Sequence, residues 1–283
     1  MEHAFEELAL AIFSTLAALG AGAFVVLAVA FLRSSVVDSP EKIKKIDRLT
    51  VIPLLLVIGG FIAAMFHLAT PLNALNALNG IGRSPLTNEI VAGLVFVVVA
   101  LVYWIIALTG KMSLGFRRIL VSLSAIFAIA FAMFLGLAYM IPTIPTWNTP
   151  FAPIVMLGYS LLGGGLFGLL ILQVADALKD ASTGSFRMIS IGLSVVGAIA
   201  AVVGVVGQYV LAGGIELASE QVAAALPWLI VCIIGLVLAL VLAVLPVVRK
   251  PSSGVVALGC LVALGAVFIG RLVFYALYIT VGV

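Results

Sequence analysis

The chain has 283 residues, 65% of them hydrophobic and only 9% charged, with a formal net charge of +3. That composition lies far outside the soluble range and excludes an ordinary water-soluble enzyme. The small positive balance does not indicate nucleic acid, because the basic residues follow the links between apolar runs.

Eight apolar runs are long enough to cross a bilayer: 8–32, 49–68, 87–108, 116–141, 151–173, 186–211, 222–245 and 254–281. The links between them are short, and the alternating pattern of a membrane barrel is missing. The expected fold is an all-α integral membrane protein, an eight-transmembrane-helix bundle forming a single domain over 1–283. The first run is preceded by Glu2, Glu6 and Glu7 with no Lys or Arg, the wrong charge for a cleavable signal. Gly20 and Gly22 within it would let another helix approach closely. The link after it, SSVVDSPEKIKKIDR, is the longest basic one and needs no role beyond fixing orientation.

Twelve of the fourteen basic residues lie in the links after runs one, three, five and seven: Arg33, Lys42, Lys44, Lys45, Arg48, Lys111, Arg117, Arg118, Lys179, Arg187, Arg249 and Lys250. By the positive-inside rule both termini face outward. The opposite face carries only Arg83, and Arg271 lies inside run eight.

The link between runs two and three reads HLATPLNALNALNGIGRSPLTNE, from His67 to Glu89. Ionisable groups at membrane depth cost about 2.5–3.5 kcal/mol each on insertion scales, so this histidine and this acid are functional candidates. Asn73, Asn76 and Asn79 recur every three residues, as do Leu72, Leu75 and Leu78. This pattern suits a short interfacial or re-entrant helix, with an ordinary amphipathic connector as the alternative. The link after run four, IPTIPTWNTPFAP, is stiffened by proline, and Trp147 reads as an interface aromatic. Gly163, Gly164, Gly165 and Gly168 in run five suggest close helix packing; a broken helix lining a substrate path is the other reading. Cys232 and Cys260 have no CxxC spacing and read as packing residues.

Arg271 must find an anion or a polar cavity, unless it snorkels to the interface. Tyr275 at i+4 and Tyr278 near i+7 would share its helix face. His67 lies about 18 residues into run two from the inner face, roughly 27 Å of rise, and Arg271 about 17 into run eight, roughly 25 Å. With Glu89 at the start of run three, all three belong to the outer third of the bilayer.

A histidine, a carboxylate and an arginine in a semi-buried outer pocket suit a two-proton carrier such as quinol. A neutral imidazole can accept a hydroxyl proton, a carboxylate can pass one to water, and Arg271 can steady a quinolate. With one membrane histidine and no cysteine run, neither a bis-histidine haem nor an iron–sulfur cluster is expected in this chain. A redox partner close to the pocket is therefore required, and an outward pocket favours docking on the outward face.

Three blocks carry a family resemblance: the 67–90 segment, PTW at 145–147, and GRLVFYALYITVG at 270–282. The chain resembles the membrane anchor subunits of dimethyl sulfoxide reductase-type molybdoenzymes, the DmsC-like family, over essentially its whole length. The resemblance implies a haem-free, multi-pass anchor of the bacterial cytoplasmic (inner) membrane, working in anaerobic respiration. Such an anchor oxidises menaquinol and passes electrons to an iron–sulfur subunit, which feeds a molybdopterin catalytic subunit where the terminal reductase chemistry resides. It implies His67 and Glu89 as the menaquinol-binding pair, expected to be the reacting residues; Arg271, Asn76, Arg83 and Tyr275 are further quinol-binding candidates of this sequence. One departure is that Val267 stands where the family often has an acid. The competing readings are a secondary transporter, for which no internal repeat is found, and a purely structural anchor in which Glu89 only complements a helix dipole.

Overall fold

A computed structural model describes residues 1–33, 39–67, 76, 78–181, 184–249 and 252–280, and the regular structure among them is entirely helical. In lipid a polypeptide must satisfy its backbone internally, which helices do segment by segment. Among the described residues, eight helical segments are long and apolar enough to cross a membrane.

A single turn, α1 (Glu2–Glu6), leads into α2 (Leu8–Leu32), the first span. The second span joins α3 (Pro40–Leu49) to α4 (Val51–Met65), with the Thr50 hydroxyl donating to the Ile46 carbonyl at the junction. Ser39 caps α3 by accepting from the Lys42 N–H at 3.2 Å, and Pro40 opens it. Spans three and four are α5 (Pro85–Leu108) and α6 (Leu114–Leu137), capped in the same way by Ser84 and Ser113. The fifth span runs through α7 (Phe151–Tyr159), a π turn (Ser160–Gly164) and α8 (Gly165–Val174). A short α9 (Leu178–Ala181) precedes α10 (Gly184–Gly213), and a 3-10 turn at Glu216–Ala218 precedes α11 (Ser219–Val248). The last span is α12 (Ser253–Ala276).

Eight crossings return the polypeptide to the side on which it began. This side, with α1 and the end of α12, is called the terminal face below; the other, with α3 and the lysine- and arginine-rich links, is the basic face.

The axis of the bundle is α2, whose apolar window is 83% buried against 28% for α4 and α5. Its small residues allow that position. A Cβ on Gly22 would fall 1.9 Å from the Ser160 carbonyl oxygen, and one on Gly164 would fall 2.5 Å from the Gly22 Cα. Gly164 and Gly168 of the fifth span therefore serve close backbone packing against α2. The span is not broken, although it takes up one wide π turn where α2 crosses it.

Three expectations are corrected. The first basic link does more than set orientation: its residue Asp47 is buried, receives two bonds from Arg117 (Nη2 to Oδ2 at 2.8 Å, Nε to Oδ1 at 3.2 Å), and accepts from the Tyr103 hydroxyl at 2.9 Å. Trp147 does more than an interface aromatic need do: it is buried, donates from Nε1 to the Phe274 carbonyl at 2.9 Å and stacks on the Phe274 ring. Tyr278 shares no helix face with Arg271, since α12 ends at Ala276 and the backbone turns; Tyr278 instead stacks on His3 at 4.1 Å. Of the asparagine stripe, Asn76 and Asn79 fall in 3-10 turns and are exposed, while Leu72, Asn73 and Leu75 lie outside the described residues.

Candidate functional site

Arg271 is the centre of the terminal face. It sits about one and a half turns inside the end of α12 and is 1% exposed. Its Nε donates to the Ser14 hydroxyl of α2 at 2.7 Å, and its Nη2 to the Tyr275 hydroxyl at 2.9 Å. Tyr275 can meet it because residues four apart lie one above the other on a helix. The Tyr275 hydroxyl is in turn hydrogen-bonded to that of Tyr139, just past α6. The guanidinium carbon lies 4.2 Å from the centre of the Phe274 ring, 4.8 Å from that of Tyr275 and 5.0 Å from that of Tyr139. Such cation–π contacts contribute about 2 kcal/mol each when desolvated, which offsets part of the cost of burying the charge. Trp147 packs at 5.0 Å from Phe274 and 5.6 Å from Tyr139, closing the aromatic cage.

Glu89 stands one turn inside α5 and is 2% exposed. Arg271 acts on it through charge, and it acts on Tyr139 and Tyr275 in the same way. Yet Glu89 Oε1 and Arg271 Nη1 are both buried without a hydrogen-bond partner. An acceptor and a donor therefore stand unsatisfied, and each such group costs about 1–3 kcal/mol, or more when charged. Glu89 is aimed by a local construction. Ser84 and Pro85 start the helix, and the Gly82 N–H donates to the Asn88 side chain at 2.8 Å. Gly82 takes a φ of +78°, which an L side chain adopts rarely.

His67 lies in the turn that follows α4, and its side chain is 41% exposed. Its helix and that of Glu89 are neighbours. Gly93, one turn below Glu89, faces Phe61 of α4 so closely that a Cβ there would fall 2.5 Å from the ring. The carboxylate that His67 itself meets is Glu7, at the start of α2: Nδ1 lies 3.2 Å from Oε2. The approach is that of an ion pair out of hydrogen-bond alignment, since Glu7 Oε2 makes no hydrogen bond.

Among the sequence-predicted residues, Arg271 and Tyr275 are thus joined by a hydrogen bond, Glu89 lies within reach of the Arg271 charge, and His67 is at the end of an adjoining helix. Asn76 and Arg83 are exposed on the terminal face, where Arg83 donates to the Asn79 carbonyl at 3.4 Å. Sequence reasoning missed Ser14, Tyr139 and Glu7 as site residues, and singled out Trp147 without its place in the cage. Of the three missed, only Glu7 carried a signal, as an acid at the mouth of an apolar run. Two clefts lie on opposite faces of the bundle. One of about 460 Å³ on the terminal face is lined by Met1, His3, Glu6, Gln221 and Tyr278, among others, and one of about 410 Å³ lies against Asp47 and Arg117; neither is lined by His67, Glu89 or Arg271. Among the described residues no group of three or more His, Cys, Asp or Glu side chains is placed to hold a metal ion.

Comparison with known proteins agrees on one family. The model of the DMSO reductase anchor subunit (DmsC) matches residues 1–277. The sequence is similar to that of the anaerobic dimethyl sulfoxide reductase protein YnfH of Escherichia coli, with 32% identity covering 79% of this protein and 78% of that one. It is also similar to the C subunit of anaerobic dimethyl sulfoxide reductase from the same organism, at 30% identity over 100% of this protein and 98% of the other. The C subunit from Haemophilus influenzae is 31% identical over the same shares.

Proposed function

The chain belongs to the DmsC family of DMSO reductase anchor subunits, and we propose that it anchors such a reductase in the bacterial inner membrane and oxidises quinol at its terminal face. The observation that carries this reading is the pair of buried, unpartnered atoms, Glu89 Oε1 and Arg271 Nη1. A quinol hydroxyl is both donor and acceptor, so it can donate to Glu89 and accept from Arg271. As the hydroxyl ionises, the guanidinium stabilises the oxyanion where the charge develops. Phe274 and Tyr139 hold the guanidinium that would meet the hydroxyl, and the lipid-facing leucines and valines suit an isoprenoid tail.

Oxidation releases two electrons and two protons. The protons fall to groups of this protein: Glu89 within the cluster and His67 at the rim. The electrons require a one-electron acceptor, and the family relationship supports an iron–sulfur subunit that in turn serves a molybdopterin catalytic subunit. A naphthoquinol of the menaquinol type suits the aromatic surround. Its oxygens are para to one another, so one engages the cluster while the other reaches outward toward His67.

The test uses the assembled complex in its membrane, with a short-chain naphthoquinol as donor and dimethyl sulfoxide as acceptor. His67→Ala is expected to abolish naphthoquinol oxidation while the partner subunits remain bound. Oxidation at the parental rate in an assembled His67→Ala complex would remove the histidine from the reaction.

A further inference from the structure

His67 is a two-ended base, and the structure shows what stands at one of its ends. We infer that Glu7 is the positioning carboxylate of His67. The inference rests on the quinol reading above. Glu7 Oε2 lies 3.2 Å from Nδ1, and the Glu7 side chain is only 16% exposed against 41% for the imidazole. The carboxylate is thus held inside, against the start of α2, and the imidazole stands between it and the outside.

Two consequences follow from elementary histidine chemistry. A carboxylate facing Nδ1 favours the tautomer with its proton on Nδ1, which leaves the Nε2 lone pair as the base. When a quinol hydroxyl transfers its proton to Nε2, the O–H bond breaks, an N–H bond forms, and the imidazolium keeps the charge beside Glu7. The imidazolium, 41% exposed, then gives a proton to water at the terminal face, which restores a neutral imidazole, while Glu7 stays ionised beside it. The electrons take no part in this transfer; they leave to the iron–sulfur acceptor of the partner.

Other titratable groups nearby are engaged elsewhere. His3 of α1 pairs with Glu6 at 3.1 Å and stacks on Tyr278. Arg271 of α12 is bonded to Ser14 and Tyr275, and its charge acts on Glu89 of α5. Ser14 lies two turns along α2 from Glu7, so a single helix carries both the partner of His67 and a partner of Arg271. The two halves of the site are therefore held in register by the most buried helix of the bundle.

Glu7→Gln in the full complex tests this, with naphthoquinol oxidation followed across pH and normalised to assembled complex. The acid limb of the profile reports the pH at which His67 becomes protonated and stops accepting. Loss of the carboxylate destabilises the imidazolium, so the limb is expected to move to lower pH, with turnover at neutral pH falling by about tenfold. Glu7→Asp is expected to restore both. A merely structural Glu7 would change the amount of complex and leave the limb where it is, and that result would overturn the inference.

A second measurement does not depend on turnover. The sequence has only two histidines, so nitrogen-15 labelling in a His3→Gln background isolates His67. The Nδ1–H tautomer should dominate in the parent and give way to a mixture in Glu7→Gln; identical tautomer populations would also overturn the inference. If His67→Ala oxidises naphthoquinol at the parental rate, both this inference and the quinol reading fall. If His67→Ala is inactive and Glu7→Gln leaves limb and tautomer unchanged, only the role of Glu7 falls.

Discussion

Each face of the bundle buries an arginine, an acid and a tyrosine, and the two sets are finished differently. On the basic face Asp47 and Arg117 are 2% and 5% exposed and meet through two bonds, Tyr103 adds a third, and Arg117 Nη1 donates to the Met112 carbonyl at 3.1 Å. On the terminal face Glu89 and Arg271 are as deeply buried, but an oxygen of one and a nitrogen of the other have no partner. A closed buried pair ties elements together, here α3 and α5 to α6. An open one keeps hydrogen-bonding capacity for something that arrives. Buried charge alone does not mark a site; buried charge with unused valence does.

Substitutions can break this contrast. The largest effect is expected for Asp47→Ala, which strands the Arg117 guanidinium in the interior. Unfolding stability in detergent should fall by about 3–5 kcal/mol, while oxidation per surviving complex stays near the parental value. Glu89→Gln should do the reverse. Naphthoquinol oxidation is expected to fall by about a hundredfold or more, with the melting temperature unchanged or raised because a neutral amide replaces a buried carboxylate. A loss of stability matching that of Asp47→Ala would make Glu89 a scaffold residue and erase the distinction.

Arg271→Lys sharpens it further. The charge remains, but the planar fork that reaches Ser14 and Tyr275 together is lost. Binding of a naphthoquinone analogue should weaken by about tenfold, read by competition titration. Tyr139→Phe removes only the hydroxyl bonded to Tyr275 and keeps the ring beneath the guanidinium. A stability loss of about 1 kcal/mol is expected, with analogue affinity nearly unchanged.

The smallest effect belongs to an exposed pair on the basic face, Lys45 and Asp176 at 2.7 Å. The Lys45 ammonium holds the Asp176 carboxyl below the usual carboxylate range. Its contribution is therefore present above the ordinary carboxylate pKa and is lost as pH falls through the lowered one. Solvent screens the pair, so Lys45→Ala should leave the melting temperature at neutral pH within experimental scatter. A clear drop would mean that surface pairs matter more here than the buried clusters suggest.

The legible part of this protein was what apolar length and local chemistry control. The first run, 8–32, coincides with α2, and the other spans differ from the runs mainly at their ends. There, caps such as Ser39–Pro40 and Ser84–Pro85 extend a helix beyond its apolar stretch. The contact between Arg271 and Tyr275 was also readable, because a four-residue spacing on one helix is local geometry. Tyr278 was misread for the same reason in reverse: helical spacing was carried past the helix end. Asp47 was taken for a loop charge because nothing in SSVVDSPEKIKKIDR reveals that Arg117, seventy residues on, points at it.

Sequence by itself determined a bundle of eight crossings, the sidedness of its basic links and the ionisable residues that must answer for their burial, since the cost of placing backbone and charge in lipid is set residue by residue. Tertiary structure alone decided the partners. It gave His67 the carboxylate of Glu7, gave Arg271 the hydroxyl of Ser14 from a helix more than 250 residues earlier, and set Glu89 near that arginine with an oxygen to spare. Which helix lies beside which depends on the fit of small residues, such as Gly22 against Ser160 and Gly93 against Phe61, and that fit exists only once the helices are packed.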